Sequence, residues 1–332
     1  MKSDKGSGVN GRAMATQRAS DRRHTAVAWS SPVVIAALLI TVSATSGYPT
    51  KQPTKRPQHV LSIVCAENFW GSIASSIGGH FVDTQSIINN PNIDPHSYEP
   101  TAANARAFAG AGIAIVNGLG YDPWATQLLA ADTVKNVINV GTVLRLAGDA
   151  NPHRWYNPGD VTIVVDRLVT VLSKLIPSEQ GYFKDQAARF SSVLLATFHK
   201  RIANISRTFS GVPIGASESI FSMLAPSLNL RVLTPPDFLR AISEGGDVAP
   251  RDIATINRQI IARAIWVYVY NRQNATPDIE RQLELCRSHH IPVVSITETM
   301  WPATTTFARW QTSQLEQLYF ALVTAKAQRT DG

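Results

Sequence analysis

From residue 59 onward, short apolar runs alternate with segments of helical periodicity, and this alternation occurs twice with a long helical stretch between. Runs at 60–65, 81–88, 112–117 and 136–140 predict strands, and the patterns at 69–77, 102–109 and 123–131 predict the helices between them. A run such as VLSIVC carries no polar alternation, so it belongs to a strand covered on both faces. Strand–helix–strand repetition sets successive strands parallel. Two helical patterns follow at 159–175 and 178–207, split by Pro177, with Val164, Leu168, Val171, Leu172 and Leu175 recurring at steps of three and four. The alternation then resumes: strands at 212–215, 230–233, 265–270 and 291–296, helices at 220–228, 235–242, 251–264, 276–288 and 305–325. The expected fold is α/β, with two lobes, each a mostly parallel sheet flanked by helices, joined by one long helix. The lobes are expected at 59–157 and 208–332 with linking helices at 158–207.

The formal charge of +7 does not describe that body. Residues 1–60 hold nine Lys and Arg against two acids, and the remainder holds 22 of each. A neutral body carries no basic footprint for nucleic acid. Residues 1–58 read as a signal or anchor segment and a flexible tether: a basic leader, an apolar segment at 26–44, a small-x-small sequence at Val42-Ser43-Ala44, and a polar stretch with Pro49, Pro53 and Pro57. The apolar core at 32–42 has signal-peptide length; kept whole, 26–44 serves as an anchor. The expected location is the cell envelope, periplasmic or held on the outer face of the cytoplasmic membrane. The two cysteines, Cys65 and Cys286, read as buried thiols in different lobes, and without a Cys-x-x-Cys pair there is no cysteine zinc site.

In open parallel sheets, ligands bind beyond the carboxyl ends of the strands. Two stiff Pro-His loops fall there. NIDPHSYEPT at 92–101 holds His96 between Pro95 and Pro100, and NPHRWYNP at 151–158 holds His153 beside Trp155 and Tyr156. Proline fixes φ and removes an amide donor, so each loop aims its imidazole in one direction. Glu218, Asn274 and Glu298 follow strands of the second lobe. Two imidazoles with oxygen donors suit zinc, manganese or ferrous iron. Taken singly, each residue has a plainer reading: Glu218 as a cap for a helix near 220, either histidine as a loop residue.

The motifs DPHSYEPT (94–101), NGLGYDPW (117–124), NPHRWYNP (151–158), ASESIF (216–221), TPPDFLRAISEG (234–245), VYNRQNATP (269–277) and VVSITETMWP (293–302) resemble, in order, those of the zinc/manganese-type substrate-binding proteins of ABC importers. The resemblance spans about 60–325 and implies two α/β lobes joined by a long helix. It implies capture of a zinc or manganese ion in the cleft and delivery to a membrane ABC permease, by a monomer that is not an enzyme. It implies His96 and His153 as ligands, Glu218 as the third, and a fourth at or near Asn274, with Glu298, Glu67 or a water as alternatives. The sequence departs from the family in three ways: an amide stands where an acid is expected, residues 118–150 contain no histidine, and no lipid-anchor cysteine lies near residue 44. Competing readings are an envelope zinc-dependent hydrolase using Glu298 and a metal-binding surface adhesin.

Overall fold

The computed structural model describes residues 60–93, 95, 97–131, 134 and 136–330. The leader and tether at 1–58, and His96 itself, lie outside the described residues. All described residues belong to one compact unit, Lys55–Gly332.

The first sheet contains β1 (Leu61–Glu67), β2 (Val82–Ile88), β3 (Ile113–Val116) and β4 (Val137–Asn139), in the order β2-β1-β3-β4 and parallel throughout. Its helices are α1 (Asn68–Gly78), α2 (Ala102–Ala109), α3 (Pro123–Ala130) and the single turn α4 (Val140–Val143). α2 starts where Thr101 and Asn104 cap each other's backbone amides. Residues of β1 and β3 alternate between two cores. Ile63, Cys65, Ile113 and Ile115 face the linking helices, and Val64, Ala66, Ala114 and Val116 face α2 and α3 with Phe108 and Trp124.

Asn157 accepts from the amides of Gly159 and Asp160 and opens α5 (Pro158–Leu175), which at 1.5 Å per residue is about 27 Å long. The single helix expected at 178–207 is instead α6 (Gln180–Arg189), a π-turn at Phe190–Leu194, and α7 (Ala196–Thr208). Periodicity survives one added residue in the helical path, which is why the pattern did not reveal the break.

The second sheet repeats the first: β5 (Pro213–Ala216), β6 (Arg231–Val232), β7 (Tyr268–Asn271) and β8 (Val293–Ile296), ordered β6-β5-β7-β8 and parallel. Its helices are α8 (Pro236–Ser243), α9 (Pro250–Ile261), α10 (Pro277–Ser288) and α11 (Phe307–Thr330). The helix expected at 220–228 is two 3₁₀ turns, Phe221–Met223 and Ala225–Leu228. Pro226 has no amide to donate, and Asn229 turns left-handed at φ 51°, so an α-helix does not propagate there.

One apolar core runs through both lobes. It joins Ile63 and Ile115 of the first sheet, Val164 and Leu168 of α5, Ile214 and Val269 of the second sheet, and Leu315 and Leu322 of α11. Cys65 and Cys286 are buried and unpaired, in separate clusters.

Candidate functional site

In both sheets the connections reverse direction between the two central strands, so crevices open beyond β1 and β3 and beyond β5 and β7. The residues at those exits are polar and buried. Glu67 ends β1, Asn117 follows β3, Ser217 and Glu218 follow β5, Asn271 ends β7, and all are at most 2 % exposed.

His153 is 1 % exposed and is fixed by five residues. Asn117 donates from Nδ2 to the carbonyl of Pro152 at 3.0 Å, which pins the preceding peptide. Asn151 Oδ1 accepts from the His153 amide at 3.0 Å and lies 2.9 Å from Nδ1 of its ring. Ser219 Oγ lies 3.3 Å from the same nitrogen. Tyr121 and Trp155 meet the imidazole edge-on, with centroids at 5.9 and 5.3 Å. Asn151 also donates from Nδ2 to the carbonyl of Ser219 at 2.8 Å. A carbonyl only accepts, so the Asn151 amide is oriented with its oxygen toward His153. Nδ1 therefore carries a proton, and in the neutral ring Nε2 is the nitrogen that offers a lone pair. Glu298 Oε1 stands 3.3 Å from that Nε2.

Glu298 comes from the exit of β8 and is 12 % exposed. Its amide donates to Gln273 Oε1 at 2.6 Å, and Asn271 Nδ2 lies 3.4 Å from its Oε2. Glu218 caps no helix, since the chain after it forms 3₁₀ turns; its Oε2 accepts from Asn274 Nδ2 at 3.1 Å. The same Asn274 nitrogen donates to the carbonyl of Ile242 at 3.0 Å. Both neighbours accept, so Asn274 turns its NH₂ toward the carboxylate and holds Glu218 in place. A cavity of about 250 Å³ leads inward past Pro91, Ile93 and Pro95 of the first lobe and Asn274 and Glu298 of the second. The structure thus brings His153 to Glu298 and Asn274 to Glu218. Among the described residues, no three His, Cys, Asp or Glu side chains converge closely enough to hold a metal ion by themselves.

Behind the site lies a buried acid pair. Asp122 accepts from the amides of Asn117 and Gly118, both at 2.7 Å, and lies beside the buried carboxyl of Glu67. Burial raises both acids: Glu67 goes well above the usual range, pushed further by neighbouring Asp122, and Asp122 rises to about 7 against the pull of its two amides. The pair therefore holds protons to a higher pH than exposed carboxyls do. Tyr121 and Tyr156 are also raised, first by burial and then by the Glu298 carboxylate, against the lowering effect at Tyr156 of its contact with Gln314.

Residue types alone did not single out Asn151, Gln273 or Asp122. Asn151 had a signal, because Asn two residues before a histidine amide is an Asx turn. Gln273 had none, since its role depends on segments 25 and 182 residues away.

Two parallel lobes with a polar, buried cleft between them are the architecture of a solute-capture protein. The structure is similar to the manganese-bound periplasmic metal binding protein of Candidatus Liberibacter asiaticus, with a TM-score of 0.67 and 16% identity over 79% of this chain and 99% of that one. It is also similar to the binding protein FpvC of Pseudomonas aeruginosa in complex with Mn²⁺, with a TM-score of 0.64 and 16% identity over 79% and 98% of the two chains. In sequence, the iron-binding protein YfeA of Yersinia pestis is 24% identical over 215 residues, 59% of this chain and 67% of YfeA. The family model of ZnuA, the zinc-uptake complex component A, periplasmic, matches residues 63–321. The chain belongs to that family. Among the described residues no helix is long and apolar enough to cross a membrane.

Proposed function

We propose that this chain binds one divalent transition-metal ion between its lobes, outside the cytoplasmic membrane, and delivers it to the permease of an ABC importer. The observation that carries this reading is the approach of His153 Nε2 to Glu298 Oε1 at 3.3 Å in a buried site. A neutral imidazole and a carboxylate this close share a cation, and a bound metal ion would fill that role in place of a proton. Asn151, Ser219, Asn271 and Asn274 orient the donors, as partners of metal ligands do.

The ligand set we propose is His153, Glu218 and Glu298, with His96 supplied from the loop at 92–101. Glu298 replaces Asn274, the residue first expected as fourth ligand. Asn274 has its amide nitrogen directed at Glu218, whereas Glu298 directs a carboxylate oxygen at the His153 ring. Two imidazoles and two carboxylates, without sulfur, suit zinc or manganese, and the second carboxylate moves the preference toward the harder manganese ion. A solved structural relative is manganese-bound, which agrees with this set. Protons compete for the same lone pairs, so affinity falls as pH falls. The apolar segment at 26–44 would export the chain or tether it to the membrane near its permease.

Competition titration of the purified chain with Zn²⁺ and Mn²⁺ tests the reading. One equivalent bound, with loss on His153→Ala, is the expected result. Undiminished binding by His153→Ala and Glu298→Ala would remove its basis.

A further inference from the structure

We propose that Gln273 is a latch between the lobes, a positioning residue that sets how fast the ion leaves. This rests on the site proposed above and adds a device to it. The side-chain amide of Gln273 makes four hydrogen bonds to three residues in two segments. Its Oε1 accepts from the amides of Glu298 at 2.6 Å and Thr299 at 2.9 Å. Its Nε2 donates to Thr299 Oγ1 at 2.8 Å and to the carbonyl of Pro91 in the other lobe. Both lone pairs and both protons are thereby used, so the group has one orientation. Its own amide donates to Asn271 Oδ1 at 3.0 Å, which fixes the loop it stands on.

The two ends of this bridge matter. One end is the backbone of Glu298, whose carboxylate faces His153. The other is Pro91, in a turn braced by Asn90, which accepts from the amides of Asn92 at 3.0 Å and Ile93 at 3.1 Å. That turn opens the loop bearing His96. Gln273, Pro91 and Asn92 line both the 250 Å³ cavity at the mouth and a neighbouring one of about 260 Å³ that also touches Arg272 and Trp301. Separating Pro91 from Gln273 merges these spaces and frees the turn at Pro91, while Glu298 stays held by the acceptor side of the same amide. The donor half of Gln273 is therefore the latch, and the acceptor half is a support for Glu298.

Two substitutions separate the halves. Gln273→Glu keeps an acceptor for the amides of Glu298 and Thr299 but sets a carboxylate against the Pro91 carbonyl. Gln273→Leu removes both halves. The full-length chain, loaded with Mn²⁺ or Zn²⁺, is mixed with excess chelator and release is followed by stopped flow. Backbone amide exchange across residues 92–99 is measured on the metal-free protein. The latch predicts release about tenfold faster in Gln273→Glu, the scale of one lost hydrogen bond, and faster still in Gln273→Leu, which also loses the support of Glu298. It also predicts association within about twofold of wild type and faster exchange at 92–99, since loop opening is what the bond opposes. Wild-type release and exchange in Gln273→Glu would mean that Gln273 only supports Glu298, and the proposal fails. If Gln273→Leu does not fold, Gln273→Glu alone decides. If the wild-type chain binds neither metal, the metal reading fails, and unchanged exchange at 92–99 in Gln273→Glu still overturns the latch.

Discussion

Asn274 and Glu298 both follow strands of the second lobe, and the difference between them is which atom each presents to the cleft. Position after a strand was legible in the sequence; orientation was not, because it depends on the Ile242 carbonyl and the Glu218 carboxylate that draw the Asn274 amide away. Removing Asn274 should weaken metal binding by about 10- to 100-fold, the usual cost of losing a ligand's partner. Glu298→Ala should cost more than Asn274→Ala, and parallel titrations that rank them the other way would restore Asn274 as the ligand. The acid pair makes a separate prediction at this scale. Burial raises the Glu67 carboxyl in the folded chain well above its unfolded value of about 4.3. The folded state then binds more protons, so this group costs stability increasingly as pH rises above about 4. Glu67→Gln should therefore match wild type near pH 4 and gain thermal stability over it progressively toward pH 8, measured on metal-free protein. A constant difference across that range would contradict the buried protonated acid.

At the scale of elements, the sequence pattern predicted both sets of strands because the central ones, β1, β3, β5 and β7, lie in mostly apolar, buried runs, while the edge strand β2 alternates, with Asp83 and Gln85 exposed. It failed where a local rule was overridden. The stretch after Glu218 has helical spacing, yet Pro226 and the left-handed Asn229 leave only 3₁₀ turns. Those tight turns keep Ser219 beside His153, which the same residues in an α-helix starting at 220 had no reason to do. β5 shows how closely the second sheet is fitted. Gly215 pairs in register with Tyr268 of β7, and a Cβ at 215 would meet the Tyr268 ring at 2.7 Å and Ile265 Cδ1 at 2.8 Å. Tyr268 is fully buried and its hydroxyl donates to Gln282, so the ring has little room to move. Gly215→Ala should destabilise the chain by about 1–3 kcal/mol, the range for overpacking a core. Denaturant unfolding measures this, and a variant as stable as wild type would show that the ring yields.

The whole molecule is held together across its lobes by more than a connecting helix. Asn68 at the start of α1 exchanges hydrogen bonds with the backbone of Met300, at 3.1 Å to its amide and 3.5 Å to its carbonyl. Ser72 accepts from the Phe307 amide at 2.9 Å. Tyr156 donates to the Thr297 carbonyl at 2.7 Å beside Gln314, which itself accepts from the Thr297 amide at 2.7 Å. With one continuous core beneath these bonds, a wide hinge opening would expose apolar surface, so loading and release are expected to move loops at the mouth and to leave the lobes nearly fixed. Small-angle scattering should give the same radius of gyration with and without metal; a clear contraction on loading would indicate hinge closure. None of these inter-lobe bonds was legible in the sequence, since each joins residues whose partners lie more than a hundred positions away. The proposed site rests on His153 and Glu298 sharing one divalent ion. Calorimetric titration of the metal-free full chain with Mn²⁺ and Zn²⁺ tests it most directly. The structure predicts one equivalent bound by wild type, with binding lost in both His153→Ala and Glu298→Ala. Binding of either ion that survives both substitutions undiminished would contradict it.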